Sequence, residues 1–204
     1  MYAPGAPLME VVHTYREEEY PLTGQRWDGE ECYGEDLSGV EWKGCLFSGC
    51  RLEECDLSGW ELEDVRLENC DLTGCDLSGC RMRRVVFSGC RLTGCRLIQG
   101  AGREVRWENC LAQYADFARG HWREMQFSDC RMEGTSFADC QQPPAFARCD
   151  LRQCNFFHTP LKDVDVRDSL FSGVTVDTDS LRGLIVTPEQ AAELAVLFGL
   201  KVRP

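Results

Sequence analysis

The residues best equipped for chemistry are fourteen cysteines, three histidines and a surplus of carboxylates. Thiols can close disulfides, bind zinc or attack an electrophile. Their positions point elsewhere. Cys45, Cys50, Cys55, Cys70, Cys75, Cys80, Cys90, Cys95, Cys110, Cys130 and Cys140 all stand at multiples of five. Cys149 and Cys154 keep the same step in a shifted register, and only Cys32 lies outside the pattern. Zinc sites use closely spaced pairs, with two residues between cysteines, and the sequence has none. A cysteine placed by a structural period reads as a small buried apolar residue, with its thiol reduced. His13, His121 and His158 share no spacing. No nucleophile elbow, phosphate loop, dinucleotide fingerprint or zinc-protease helix accompanies them, so neither an enzyme nor a bound cofactor or metal is expected.

Composition narrows the partners. Across 204 residues, 22 Lys and Arg oppose 34 Asp and Glu, a net charge of −12. That balance argues against direct binding of nucleic acid or anionic membranes and suits a basic partner. No apolar run approaches the roughly 18 residues of a membrane span. Residues 1–13 lack a basic segment followed by an apolar one. A chain of reduced cysteines without an export signal is expected in the cytoplasm. The charge is uneven: residues 1–80 carry 19 acids and 5 bases, and residues 81–204 carry 15 acids and 17 bases.

The elements that would position these side chains follow from the period itself. Stepping by five from Leu22 to Phe137 meets a large apolar residue at every position except Cys32, Gly102 and Ala112. Two residues before each (position i−2) the residue is small or apolar, mostly Cys; one before (i−1) it is polar; two after (i+2) it is often Gly. The phase slips by one around Gln141–Pro144 and resumes from Phe146 to Leu181. Neither a helix at 3.6 residues nor a strand at 2.0 produces a strict five. Many tandem copies of one short unit make a solenoid that bends at every unit.

Segments such as Cys-Asp-Leu-Thr-Gly (70–74), Cys-Asp-Leu-Ser-Gly (75–79) and Cys-Arg-Leu-Thr-Gly (90–94) resemble the pentapeptide-repeat proteins, over about residues 20–183. The resemblance implies an all-β fold: a right-handed quadrilateral β-helix with four pentapeptides per coil. The tandem units then make about eight coils, a rod roughly 35–40 Å long at ~4.8 Å per stacked strand. Stacking every twenty residues puts Cys50, Cys70, Cys90, Cys110 and Cys130 in one column, and Phe47, Leu67, Phe87, Trp107 and Phe127 in another.

Three segments result: an N-terminal cap over 1–19, the β-helix over 20–183 and a C-terminal tail over 184–204. In the cap, Val11, Val12, Tyr15 and Tyr20 form a strand or short helix over the first coil, and Glu17–Glu19 reads as a solvated charge run. In the tail, Thr187-Pro188-Glu189-Gln190 is a capping-box start for a short α-helix, and Gly199 is its stop. Leu194, Leu197 and Phe198 make an apolar stripe, with Leu200 beyond it. The tail also resembles that of the quinolone-resistance branch, where it builds a head-to-head dimer; the other reading is a lone cap on the last coil.

One column of i−1 positions reads Asp36, Asp56, Asp76, Arg96, Asp116. These aspartates are the candidate partner-binding residues. With the resemblance, they imply a DNA mimic that enters the basic groove of a type II topoisomerase such as DNA gyrase, protecting it from quinolones. The alternative is a general protein-interaction scaffold. Gly100–Gly102 and Gln141–Pro144 are read as places where the coil continues with a missing inward side chain and with a surface kink, respectively.

Overall fold

The computed structural model describes residues 3–18 and 20–203; Glu19, in the acidic run, lies outside them. A two-residue strand, β1 (Ala3–Pro4), precedes a helix, α1 (Leu8–Glu18). Short strands follow: β2 (Leu22–Thr23), β3 (Gln25–Asp28), β4 (Glu31–Tyr33), β5 (Glu41–Lys43), β6 (Leu46–Ser48), β7 (Arg51–Glu53), β8 (Glu61–Glu63) and β9 (Arg66–Glu68). Then come three strands of eight residues, β10 (Arg81–Ser88), β11 (Ala101–Glu108) and β12 (His121–Ser128). A last short strand, β13 (Ala145–Ala147), and the helix α2 (Pro188–Leu197) complete the chain.

All ladders are parallel, and from β2 to β12 each links a residue to the one twenty further on, as in Trp27–Phe47, Phe47–Leu67 and Phe87–Trp107. The chain therefore stacks as a β-solenoid of about seven turns with a C-terminal helix. The sequence count of eight includes the final units, where pairing thins to isolated bridges such as Asp150–Leu170 and Asp165–Ile185. Twenty residues divided among five-residue units give four sides. The sides centred on Leu62, Leu67, Leu72 and Leu77 are here called faces one to four.

From Leu22 to Leu161, the kink at Gln141–Pro144 aside, each corner turns at position i+2 through the left-handed region. Glycine reaches that region without a Cβ penalty, as at Gly39 with φ of 71°. Asn69, with φ of 53°, shows that a short polar side chain also serves.

The core fills the square. Along face two, Phe87 stacks on Trp107 at 3.9 Å, and Trp107 stacks on Phe127 at 5.6 Å. Phe117 and Phe137 stack on face four at 5.1 Å, and Phe127 meets Phe137 edge-on across the interior. The offset-stacked and edge-on geometries are the favoured ones for aromatic quadrupoles. At Gly102 the missing side chain is supplied from the next coil. The Trp122 indole lies against Gly100, Gly102 and Gly120, and a Cβ on any of the three would overlap it.

At Gln141–Pro144 the coil shortens by one residue: Gln126 pairs with Ala145, nineteen positions on. Gln141 and Gln142 are exposed while Pro144 is buried, so the break is a kink in the wall. Over the first coil, α1 buries Leu8, Val11 and Val12, and the Trp27 indole donates to the Ala6 carbonyl at 2.8 Å.

Candidate interaction faces

All fourteen thiols are unbridged and buried. Many i−2 side chains lie beside the carbonyl of the large inward residue in the preceding coil. The Cys90 thiol donates to Leu67 O at 3.3 Å, Cys140 to Phe117 O at 3.3 Å and Cys154 to Met132 O at 3.0 Å. Where the residue is not cysteine, another donor can replace the thiol. Thr135 Oγ1 donates to Ala112 O at 2.7 Å, Thr159 Oγ1 to Phe137 O at 2.5 Å and Trp60 Nε1 to Leu37 O at 2.6 Å. The five-residue period marks i−2 only as a small apolar position and misses its donor role; Thr135 and Thr159 in that register are the signal that could have shown it. Burial pushes the Cys75, Cys80 and Cys154 thiols up to about 12, so they stay protonated.

The histidines stay apart. His13 lies beside Glu17 on α1 at 3.4 Å, His158 beside Asp139 at 3.1 Å, and His121 opens β12. Among the described residues no group of three His, Cys, Asp or Glu is placed to hold a metal, and no helix is long and apolar enough to cross a membrane.

Face four brings the candidate aspartates together. Asp36 pairs in register with Asp56, Asp56 with Asp76, Asp76 with Arg96 and Arg96 with Asp116. Each aspartate also works locally. Its Oδ1 accepts the backbone N–H two residues on: Ser38 at 3.0 Å, Ser58 at 2.9 Å, Ser78 at 2.9 Å and Ala118 at 2.9 Å. This Asx-type turn explains why Asp recurs at i−1.

The ends of the three-aspartate run are ion-paired. Arg16, from α1, reaches Asp36 at 2.7 Å, and Arg96 pairs with Asp76. Hydrogen bonds from Ser38, then the Arg16 guanidinium, hold Asp36 down to about 2. Burial opposes ionisation of Asp76, but Ser78 and Arg96 outweigh it and its carboxyl lies below the usual range. Asp56 has no ion-pair partner among the described residues.

A seam closes off the acidic half. Five arginines of one coil pair with carboxylates of the coil before it, around three faces and one corner: Arg81–Glu61 at 2.6 Å, Arg83–Glu63 at 3.2 Å, Arg84–Asp64 at 2.5 Å, Arg91–Asp71 at 3.7 Å, and Arg96–Asp76. The spacing of twenty or so between acid and base was legible in the sequence. The surplus of acid ends at this seam, since residues 81–204 carry 15 acids against 17 bases.

At the far end α2 is docked by Gln190, whose Nε2 donates to Val166 O at 2.9 Å and Ser169 O at 3.0 Å. The capping box is complete: Gln190 N donates to Thr187 Oγ1 at 3.2 Å, and Thr187 N to Gln190 Oε1 at 2.9 Å. Leu194 is buried against the chain's own core, whereas Leu197, Phe198 and Leu200 are exposed beside Val196 and Val202.

Residues 60–137 match the profile described as pentapeptide repeat region. No curated protein matches the chain. Among solved structures, a trypsin-treated variant of QnrB1, described as a plasmid-mediated fluoroquinolone resistance protein, aligns with a TM-score of 0.54 at 17% identity, covering 88% of this chain and 100% of that one. HetL, a pentapeptide repeat protein involved in heterocyst differentiation regulation from the cyanobacterium Nostoc sp., aligns with a TM-score of 0.42 at 14% identity, covering 89% and 98%. The middle coils of this four-sided parallel stack, residues 60–137, are thus a pentapeptide repeat region, and the same five-residue register continues on either side of it.

Proposed function

We propose that the protein is a non-enzymatic binding protein that mimics DNA: the acidic coils of face four enter the basic groove of a type II topoisomerase, DNA gyrase, and protect it from quinolones. The observation that carries this reading is the in-register column Asp36, Asp56, Asp76, whose carboxylates rise along a flat face at the strand pitch of ~4.8 Å. A basic groove selects such a rod electrostatically. The likeness to QnrB1 supplies the fold and the suggestion of the target. The exposed Leu197, Phe198 and Leu200 at the end of α2 favour a two-fold dimer through the C-terminus, with Leu194 anchoring the helix beneath them. A chain with fourteen unbridged thiols suits a reducing compartment, the cytoplasm.

The test is gyrase supercoiling with and without a quinolone. Asp36, Asp56 and Asp76 reversed to Lys should weaken the effect at least tenfold, each exposed contact contributing about 0.5–1 kcal/mol, and more so at low salt. Unchanged inhibition would exonerate the column. If the wild-type protein leaves gyrase untouched, the second reading stands: a scaffold for another protein. The ion pairs on Asp36 and Asp76 favour that second reading, because they already engage two of the three carboxylates. Light scattering on the wild type, and on a variant with Leu197 and Phe198 made Glu, tests the dimer separately. A wild-type protein of one chain's mass would remove it.

A further inference from the structure

Below the seam the charge changes sign. Residues 81–131 hold ten arginines and five carboxylates. On face one these arginines are stacked: Arg83 pairs in register with Arg103, and Arg103 with Arg123. Like charges directly opposite each other on neighbouring strands are destabilising, and two successive steps of this column carry that cost. Compensation is incomplete. Arg83 leans back to Glu63 at 3.2 Å, and Arg103 meets only the exposed Glu104 and Glu124, at 3.5 and 3.3 Å. Arg123 has no carboxylate within 4.0 Å among the described residues. The parallel outward column on the same face reads Arg81, Ala101, His121.

Ala101 is the one short side chain there, and the gap it leaves is a shallow groove of about 370 Å³. Leu62, Met82 and Gly102 form its apolar floor, with Arg81 on one rim and Arg83 and Arg103 on the other. Of the carboxylates that line it, Glu61 and Glu63 are held by Arg81 and Arg83, and Glu41 stands at the end two coils before Arg81, away from Arg103 and Arg123.

We infer that face one, from Arg81 to Arg123, docks an extended acidic polypeptide segment, in which carboxylates engage Arg103 and Arg123 and an apolar side chain fills the groove at Ala101–Gly102. Arginine presents a planar fork that binds carboxylate through two parallel hydrogen bonds, and the floor rewards an apolar neighbour. Charge complementarity selects a short segment over nucleic acid. A nucleic-acid strand is a long polyanion; continued along the rod it would run onto Glu41, Glu61 and Glu63, only one or two coils away on the same face. A short acidic segment ends within the arginine column. The molecule then has two interaction faces of opposite sign, and this one operates whether or not face four finds a topoisomerase.

The experiment is fluorescence anisotropy with a short labelled peptide alternating glutamate and valine, and with a glutamine-for-glutamate version and a labelled oligothymidine as competing probes. The wild-type chain should bind the glutamate peptide saturably, weaken with salt, and prefer it to both other probes. Arg103→Glu with Arg123→Glu should weaken binding roughly tenfold or more, while Arg131→Glu, on face three, should leave it unchanged. Arg123→Gln alone removes no ion pair of the fold and should still cost several-fold, which keeps the test independent of any folding defect in the double variant. Binding indifferent to both arginine variants, no saturable binding of the glutamate peptide, or tighter binding of the oligonucleotide would each overturn the inference.

Discussion

At position i−2 this chain places side chains that donate to a carbonyl of the preceding coil. Several of these carbonyls already accept a backbone N–H from the turn that follows, as Ala112 O does from Ala115 N at 3.2 Å, and a Cys, Thr or Trp side chain of the next coil adds a second donor. Thr135 tests the idea because it is fully buried and its hydroxyl donates to Ala112 O at 2.7 Å. Thr135→Val keeps the shape and removes the donor. It should cost about 1 kcal/mol in chemical denaturation, the net value of one hydrogen bond, because Ala112 O keeps the Ala115 N–H at 3.2 Å. An unchanged midpoint would show that the donor role is incidental.

The thiols themselves set an alkaline limit. Burial raises Cys75, Cys80 and Cys154 from 9.0 to about 12. A pKa raised by folding contributes stability that is fully present below the unfolded value and is lost as pH rises toward the folded one. Thermal stability should therefore fall progressively from about pH 9 upward. Replacing these three cysteines by Ala should flatten that decline even if it lowers the plateau.

At the scale of elements, both helices are tied to the solenoid by particular side chains. For α2 the ties are the reciprocal capping box and the reach of Gln190 to Val166 and Ser169. Thr187→Ala removes half of the box and should cost about 1 kcal/mol. Its first sign should be faster proteolysis after residue 187 with the repeats intact, since terminal elements open before the core. For α1 one tie is Arg16 on Asp36 at 2.7 Å. Folding depresses the Asp36 carboxyl from 3.8 to about 2, so its contribution is present above about pH 4 and disappears as pH falls through about 2. Acidification across that window should loosen α1 from face four, visible as exchange of the α1 amides. Asp36→Asn, which keeps an oxygen for Ser38 but no charge for Arg16, should make α1 loose at neutral pH as well.

Across the whole molecule, stability is a sum of coil-on-coil interfaces, and a lesion in the middle reaches both halves. Phe87 sits at full burial with Trp107 stacked on it at 3.9 Å. Phe87→Asp would place an unpaired carboxylate in a dry core, a cost of several kcal/mol, and circular dichroism should show loss of the β signal along the chain. A folded variant with only local change would mean that the two halves are independent units. The arginine seam acts at this scale too. It joins the acidic coils to the arginine-rich ones and sets where the sign of the surface changes.

The sequence alone determined a solenoid, because a strict five-residue period bends the chain at every unit, and the resemblance of its units to the pentapeptide-repeat proteins implied four sides and twenty residues per turn. It also placed Asp36, Asp56 and Asp76 in one column, since a solenoid converts spacing directly into stacking. Tertiary structure decided what those columns are worth. Whether an aspartate is open to a partner depends on side chains that reach it from other coils, as Arg16 and Arg96 do, and a period does not specify reach. Trp122 filling the place of Gly102, Leu194 turning inward while Leu197 and Phe198 face out, and the groove beside Ala101 likewise depend on how neighbouring side chains share space, which no single repeat contains.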